Sequence, residues 1–200
     1  MTEPRLPVRA GERVALFGGS FDPAHDGHRH VADLALERLG VDRVTWLVSP
    51  GNPLKDPANH GLEERMASAR LKASHPMMDV SDIETRLGVR LTIDLIRRLQ
   101  EIHPDVRFVW LMGSDNLAGF SRWRSWEEIA RLVPIAVVAR PGSEDAVRDS
   151  DFARAFAGAR VDEEQAAGLA DRAPPAWVFL RGDLHPASST DIRAAAKRAR

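Results

Sequence analysis

Short apolar, β-branched runs alternate with amphipathic segments along most of the chain. The apolar runs have the composition of strands buried in a parallel sheet. Between them, apolar residues recur at the three- and four-residue spacing of a helix that packs one face on a sheet. The pattern predicts strands at RVALFGG, RVTWLVSP, MMDVSDIE, RFVWLMG, PIAVVAR and AWVFLRG. It predicts helices at HVADLALERLG, LEERMASARLKAS and TIDLIRRLQEI.

This alternation predicts an α/β fold, a Rossmann-like doubly wound parallel sheet of about six strands with flanking helices. The 200 residues are expected to form a single domain, residues 1–200. Residues 142–175 have the weakest pattern and are rich in Ala, Asp, Glu and Arg. They are predicted to form a helix with mobile flanks.

Composition removes several classes of function. The chain has no cysteine, which excludes disulfides, thiol nucleophiles and Cys-ligated metal sites. A formal net charge of −1 argues against long nucleic acid as a partner but leaves room for a small phosphorylated ligand. The first residues lack the apolar region of a signal peptide, and no run approaches the ~18 apolar residues of a membrane span. We therefore expect a soluble, cytoplasmic protein with no membrane partner; the sequence does not predict its oligomeric state.

The segment FGGSFDPAHDGH, residues 17–28, joins the first predicted strand to the first predicted helix. Gly18 and Gly19 allow backbone N–H groups to approach an anion, and Gly27 lies where a helix N-terminus offers free N–H groups. His25 and His28 add charge-bearing donors, so the segment is interpreted as a phosphate clamp. The alternatives are a tight turn with two solvated histidines and a metal site. The metal site is disfavoured by the spacing and by the lack of a third ligand.

Three further segments contain residues that could bind a substrate. In PASSTDIRAAAKRAR, hydroxyl side chains precede a helix that carries Arg193, so they either cap that helix or form a second anion site. SPGNPLKDPANH contains Asn52 and Lys55, and MGSDNLAGFSRWRSW contains Asp115 and Trp123. The lysine can equally be a solvated charge, GSD an ordinary turn, and the tryptophan a core residue.

Two motifs resemble those of a known superfamily. GGSFDPAHDGH is similar to the signature of the nucleotidyltransferase α/β-phosphodiesterase superfamily, whose HxGH element matches His25, Gly27 and His28. The segment from Ser189 to Arg193 resembles the SSTxIR element of its adenylyltransferases. The NPLK loop, GSDNL…W and DIETRLGVRLTIDLI resemble elements of the bacterial nicotinate-nucleotide adenylyltransferase family.

The resemblance implies adenylyl transfer from ATP to nicotinate mononucleotide, with release of pyrophosphate, in NAD biosynthesis. It implies Mg²⁺ carried by ATP, and no metal-ligating residue is assigned. The implied catalytic residues are His25, His28, Lys55 and Arg193. The implied ATP-binding residues are Gly18, Gly19, Ser20, Phe21, His25, His28, Gly113, Asp115, Ser188, Ser189, Thr190 and Arg193. The implied residues for nicotinate mononucleotide are Gly19, Ser20, Asn52, Lys55, Thr92, Asp115 and Trp123.

Within that resemblance, Lys55 neutralises phosphate charge, Asp115 accepts hydrogen bonds from a ribose hydroxyl, and Trp123 or Trp126 stacks on the pyridine ring. No nucleophile stands among the motif residues, so the acceptor phosphate is expected to attack ATP directly.

The chain departs from the family pattern at three positions, which hold Ser20, Leu91 and Arg124. The ring pocket is therefore the part least supported by the resemblance. Two alternatives remain open. One is a sibling transferase acting on nicotinamide mononucleotide, phosphopantetheine or another phosphorylated acceptor, and the other is a non-catalytic nucleotide sensor.

Overall fold

In the part of the chain that the computed structural model describes, residues 3–51, 60–142 and 147–198, seven parallel strands form one sheet. The strands are β1 (Arg13–Gly19), β2 (Arg43–Val48), β3 (Met78–Ser81), β4 (Arg107–Gly113), β5 (Ile135–Val138), β6 (Arg160–Val161) and β7 (Trp177–Leu180).

Helices cover both faces of this sheet. They are α1 (Asp26–Arg38), α2 (Leu62–Lys72), α3 (Ile83–Leu87), α4 (Thr92–Ile102), α5 (Ser114–Leu117), α6 (Trp126–Leu132), α7 (Asp151–Ala155) and α8 (Ser189–Arg198). Short 3₁₀ helices span Phe120–Arg122, Ala157–Ala159 and Glu163–Asp171. No helix in the described ranges is long and apolar enough to cross a membrane.

The strand order is β3-β2-β1-β4-β5-β7-β6, so the chain winds outward in one direction from β1 and in the other from β4. In open parallel sheets, ligands bind beyond the carboxyl ends of the strands at the point where the order reverses. Here that point lies between Gly19, the last residue of β1, and Gly113, the last residue of β4.

Side chains along each strand point alternately to the two faces of the sheet and pack in two separate hydrophobic cores. Ala15 and Phe17 of β1 pack with α1 and α2, whereas Val14 and Leu16 pack with α4 and α6. Because helices cover both faces of the sheet, nearly every residue of a strand is apolar, and the strands appear in the sequence as continuous apolar runs.

All six predicted strands are present, and the predicted fold class is confirmed. The seventh strand, β6, has only two residues, which is too short for a pattern to reveal it. The prediction of one helix in residues 142–175 is wrong for its described part. There α7, two 3₁₀ helices and β6 follow one another, because the segment lacks a sustained helical face.

Candidate active site

β1 ends in two tightly packed glycines, which lead into the loop before α1. A Cβ atom at Gly18 would lie 2.6 Å from the ring of Trp110, and one at Gly19 would lie 2.9 Å from the ring of Phe21. Phe21 has a positive φ of 47°, and its side chain is 1 % exposed and packs edge-on against His28. The ring of Phe21 is therefore buried against His28, and its assignment to ATP stays a prediction.

His25 is the N-cap residue of α1, and His28 lies in its first turn. The two rings stack with their centroids 3.7 Å apart, and the backbone N–H of His25 donates to Nδ1 of His28 over 3.2 Å. Gly27 also lies in this first turn, as the sequence predicted. The structure thus places both imidazoles beside the free N–H groups of a helix start, where a phosphate is favoured.

Burial controls the charge of His25. Its side chain is 5 % exposed, and Nδ1 has no hydrogen-bond partner among the described residues. Burial, with smaller contributions from the charges of Arg140 and His185, lowers the pKa of His25 to about 4. At neutral pH the ring is therefore neutral in this arrangement, whereas the sequence analysis expected a charge-bearing donor.

Arg140, at the end of β5, was missed by the sequence analysis. Its guanidinium donates to the backbone oxygens of His185 (3.0 Å) and Ala187 (2.5 Å), and its backbone N–H donates to Ser114 Oγ (2.8 Å). A Cβ atom at Gly27 would lie 2.5 Å from Arg140 Nη1. Arg140 thus links the segment before α8 to the start of α1. The signal available was an arginine directly after a buried apolar strand, in VVARPG.

The start of α8 docks directly on the loop that precedes α1. Ser189 Oγ donates to the backbone oxygen of Pro23 (3.0 Å), and Arg193 donates to the backbone oxygen of Asp22 (2.6 Å) and to Thr190 Oγ1 (3.3 Å). Two motifs more than 160 residues apart in sequence therefore form one surface.

Ser188 acts as a helix cap. Its Oγ accepts the backbone N–H of Asp191 over 3.1 Å and lies 2.6 Å from that residue's carboxylate. Ser188 therefore caps α8 in this structure, and its assignment to ATP stays a prediction. Ser189 and Arg193 instead donate hydrogen bonds to backbone oxygens of the loop that precedes α1.

A second buried arginine, Arg65 of α2, was also missed. It is 3 % exposed, and Nη1 donates to the backbone oxygens of Ser20 and Ser49, each over 2.8 Å. Burial lowers the pKa of Arg65. Nearby, His60 Nδ1 lies 2.6 Å from the buried carboxylate of Asp22. Arg65 therefore holds together the loops that leave β1 and β2. The sequence showed it only as one charged position in a helix.

A cavity of about 340 Å³ opens at the carboxyl ends of β1 and β4. Four residues predicted for nicotinate mononucleotide line it, namely Gly19, Ser20, Thr92 and Trp123. The other lining residues are Gly18, Ser49, Gly51, Glu84, Arg90, Leu91, Trp110, Asn116, Arg122 and Arg124. The cavity coincides with the place where the strand order reverses.

Two tryptophans, Trp123 and Trp126, were candidates for stacking on the pyridine ring, and the structure places them differently. Trp123 lines the cavity, with its ring centroid 6.2 Å from that of Trp110. Trp126 is not among the lining residues and packs instead on Phe120 and Phe156. Of the two, only Trp123 faces the cavity.

Asp115 does not line this cavity. It is exposed at the start of α5, with Oδ1 2.5 Å from the position of a Cβ atom at Gly113. The side chain of Arg140 packs on the same glycine. Gly113 is therefore in contact with Arg140, which also lies beside Gly27 at the start of α1. Asn52 and Lys55 lie outside the described residues.

Glu84 was not singled out from the sequence, although it stands within the DIE element. Its side chain lines the cavity from α3, and burial raises the pKa of its carboxyl to about 7. Among the described residues, no group of three or more His, Asp or Glu side chains is arranged to hold a metal ion.

Comparison with known proteins supports one family. Residues 16–195 match the model of the family described as cytidylyltransferase-like. A protein of Caulobacter sp. (strain K31), named a probable nicotinate-nucleotide adenylyltransferase, is 54% identical over 182 residues, which cover 90% of this chain and 96% of the relative. A protein of Ruegeria pomeroyi with the same name is 50% identical over 188 residues, covering 94% of this chain and 88% of the relative.

A solved structure shares the fold. The Plasmodium falciparum nicotinic acid mononucleotide adenylyltransferase complexed with NaAD superposes with a TM-score of 0.69 over 92% of this chain and 83% of that one. At 16% sequence identity, this similarity establishes the fold alone. The family match and the close relatives together show that the chain belongs to the cytidylyltransferase-like family and, within it, to the nicotinate-nucleotide adenylyltransferases.

Proposed function

We propose that this chain transfers the adenylyl group of ATP to nicotinate mononucleotide, forming nicotinate adenine dinucleotide and pyrophosphate in cytoplasmic NAD biosynthesis. One observation carries the proposal. The starts of α1 and α8, where the histidine and arginine motifs lie, form one surface next to a cavity at the reversal point of the sheet. Such a surface suits a triphosphate, and such a cavity suits the nucleotide that accepts the adenylyl group.

ATP is assigned to the surface between α1 and α8. The first-turn N–H groups of α1, the imidazoles of His25 and His28, and the guanidinium of Arg193 are the donors available to its phosphates. Gly18, Gly113, Asp115, Ser188 and Thr190 complete the assigned site. A bound triphosphate adds negative charge beside His25, which favours the imidazolium form that the unliganded geometry disfavours.

Nicotinate mononucleotide is assigned to the cavity. Trp123 offers a ring face for the pyridine, and Thr92 offers a hydroxyl and the open N–H groups of the first turn of α4 to the nicotinate carboxylate. Gly19 and Ser20 lie at the end of the cavity toward α1, where the 5′-phosphate meets ATP. Asn52 and Lys55, in the loop that follows Gly51, are assigned to the same phosphate.

The reaction is a direct displacement. An oxygen of the acceptor's 5′-phosphate attacks the α-phosphorus of ATP, the bond to the α,β-bridging oxygen breaks, and pyrophosphate leaves with that oxygen. This route needs no protein nucleophile. The protein contributes positioning and neutralisation of charge on the transferring group, through His25, His28, Lys55, Arg193 and backbone N–H groups.

Mg²⁺ is assigned to ATP itself. Mg²⁺ prefers hard oxygen ligands and is commonly held by substrate phosphates. His25, His28 and Arg193, which are assigned to the triphosphate, present nitrogen donors that complement its phosphates, and the ion is assigned to phosphate oxygens. Magnesium bound there shields the negative charge of the triphosphate.

A pyrophosphate-release assay with a panel of acceptors tests the proposal. With ATP and Mg²⁺, nicotinate mononucleotide is expected to support release, whereas phosphopantetheine is not. Faster release with another phosphorylated acceptor would indicate a sibling transferase. ATP binding without release for any acceptor would indicate a nucleotide sensor.

A further inference from the structure

Glu84 places a carboxyl group in the wall of the cavity assigned to the pyridine ring. The backbone oxygen of Glu84 accepts the N–H of Val89 over 3.0 Å, and Gly88 ends α3 with a positive φ of 69°. This turn fixes the position of Glu84 relative to the segment that leads into α4. The side chain lines the same cavity as Thr92 and Trp123.

The Glu84 carboxyl has no hydrogen-bond or ion-pair partner within the described ranges. A carboxylate removed from water without a partner is costly, and neutralisation by a proton relieves that cost. Burial in the cavity wall accordingly raises the pKa of Glu84 to about 7, so both forms of the group are populated near neutral pH.

The other charged residues that line the described part of the cavity are cationic. Arg90, Arg122 and Arg124 line it, and each is exposed to solvent. On α3 itself, Asp82 and Arg86 pair with each other over 2.9 Å. The remaining lining residues come from β1, β4, α5, the start of α4 and the segments that follow β1, β2 and the first 3₁₀ helix, and they do not ionise in this range. Within the described part of the cavity, Glu84 is therefore the group that titrates near neutral pH.

An ionised Glu84 would oppose the proposed substrate. The nicotinate carboxylate would bring a second negative charge into the same cavity, and two nearby carboxylates share a proton readily. A nicotinamide group carries no charge there and presents an NH₂ donor in place of one oxygen. The two acceptors thus favour opposite protonation states of one side chain.

We infer that Glu84 is a specificity-determining residue that senses the charge of the acceptor's ring substituent. Its protonated carboxyl donates a hydrogen bond to the nicotinate carboxylate, and its ionised form repels that carboxylate and accepts from a nicotinamide NH₂. The preference for nicotinate over nicotinamide mononucleotide therefore decreases as pH rises. This inference rests on the proposed function.

The test is the ratio of kcat/KM for the two mononucleotides as a function of pH. Both carry the same 5′-phosphate and meet the same His25, His28 and ATP, so ionisations common to the two reactions cancel in the ratio. For the unmodified chain the ratio is expected to fall by at least tenfold between about pH 6 and about pH 8.5, since the protonated fraction of a group with a pKa of about 7 falls by more than that.

Glu84→Gln supplies the decisive comparison. Glutamine keeps an N–H donor for the carboxylate and an oxygen acceptor for the amide, but it does not titrate. Its ratio is expected to stay constant within about twofold over the same range. Glu63→Gln, at an exposed position of α2, is the matched control and should retain the decrease. A constant ratio in the unmodified chain, or the same decrease in Glu84→Gln, would overturn the inference.

Calorimetry adds a readout that does not depend on turnover. Binding of nicotinate mononucleotide at about pH 8, measured in buffers of different ionisation enthalpy, should take up close to one proton more than binding of nicotinamide mononucleotide. Glu84→Gln should abolish this difference, and equal uptake by both ligands in the unmodified chain would contradict the inference. Absence of pyrophosphate release with either ligand would instead contradict the proposed function, while the proton measurement would still decide the role of Glu84.

Discussion

The guanidinium of Arg140 fills the space beside Gly27 that any larger side chain would need. A Cβ atom at residue 27 would lie 2.5 Å from Arg140 Nη1 and 2.8 Å from the backbone oxygen of Ala187. The glycine of the HxGH element therefore admits a buried arginine that joins the two halves of the assigned ATP site.

Gly27→Ala is expected to lower kcat/KM by ~10²-fold, since a displacement of about 1 Å in a positioned site can cost that much. The clash at this buried position is also expected to destabilise the fold by about 1–3 kcal/mol, partly offset by the helix propensity of alanine, so activity is compared at a temperature where both variants are folded. Gly158→Ala is the control, because nothing lies within 4 Å of its Cβ position. Equal activity of the two variants would contradict the role given to this contact.

His28→Ala is expected to lower kcat by ~10²-fold or more, because loss of one preorganised donor at a transition state typically has that effect. His75→Ala is a suitable control. His75 precedes β3 and so lies at the amino edge of the sheet, opposite the site. A folded His28→Ala variant with unchanged turnover would remove His28 from the catalytic residues.

Arg193→Ala should weaken ATP binding more than binding of the mononucleotide. A hydrogen bond to a charged group contributes about 1.5–3 kcal/mol, which corresponds to a rise in Kd of about 10- to 150-fold. The comparison is Lys197→Ala, which removes a cation further along α8. Titration calorimetry with ATP measures both variants, and an unchanged Kd for Arg193→Ala would place Arg193 outside the ATP site.

Much of this arrangement follows from local sequence patterns. The strand at residues 107–113 and the helix at residues 92–102 were predicted because apolar residues recur at the period of each element. The starts of α1 and α8 were predicted as phosphate sites because glycine, histidine and hydroxyl residues have specific uses at helix starts, and phosphate binding there stays a prediction.

Arg65 and Arg140 could not be predicted in this way. Their guanidinium groups donate to backbone oxygens of residues that lie 5 to 47 positions away, and any residue type supplies such an oxygen. Glu84 was not predicted from the sequence for a related reason. Its chemistry depends on burial in a cavity formed by several segments, which no local pattern encodes.

Stability should decrease on acidification through His25. Its pKa is about 4 in the folded chain against an ordinary value of 6.5, so between these values the unfolded chain binds more protons. The contribution of His25 to the free energy of unfolding should therefore fall as pH decreases from about 6.5 to about 4, by at most about 3 kcal/mol, whereas Glu84, whose pKa is raised, contributes with the opposite sign.

Urea unfolding at about pH 7.5 and about pH 4.5 measures this contribution. His25→Gln, which does not titrate, should lose less stability between the two conditions than the unmodified chain. Parallel losses in the two proteins would show that His25 is not the responsible group.

The most direct test of the account is the ratio of kcat/KM for nicotinate and nicotinamide mononucleotide, measured by pyrophosphate release with ATP and Mg²⁺ at about pH 6.5. Nicotinate mononucleotide is predicted to be preferred, by up to ~10⁴-fold, because donors placed for a carboxylate are left unpaired by an amide NH₂. Equal values, or a preference for the amide, would contradict the assignment of nicotinate mononucleotide as the acceptor.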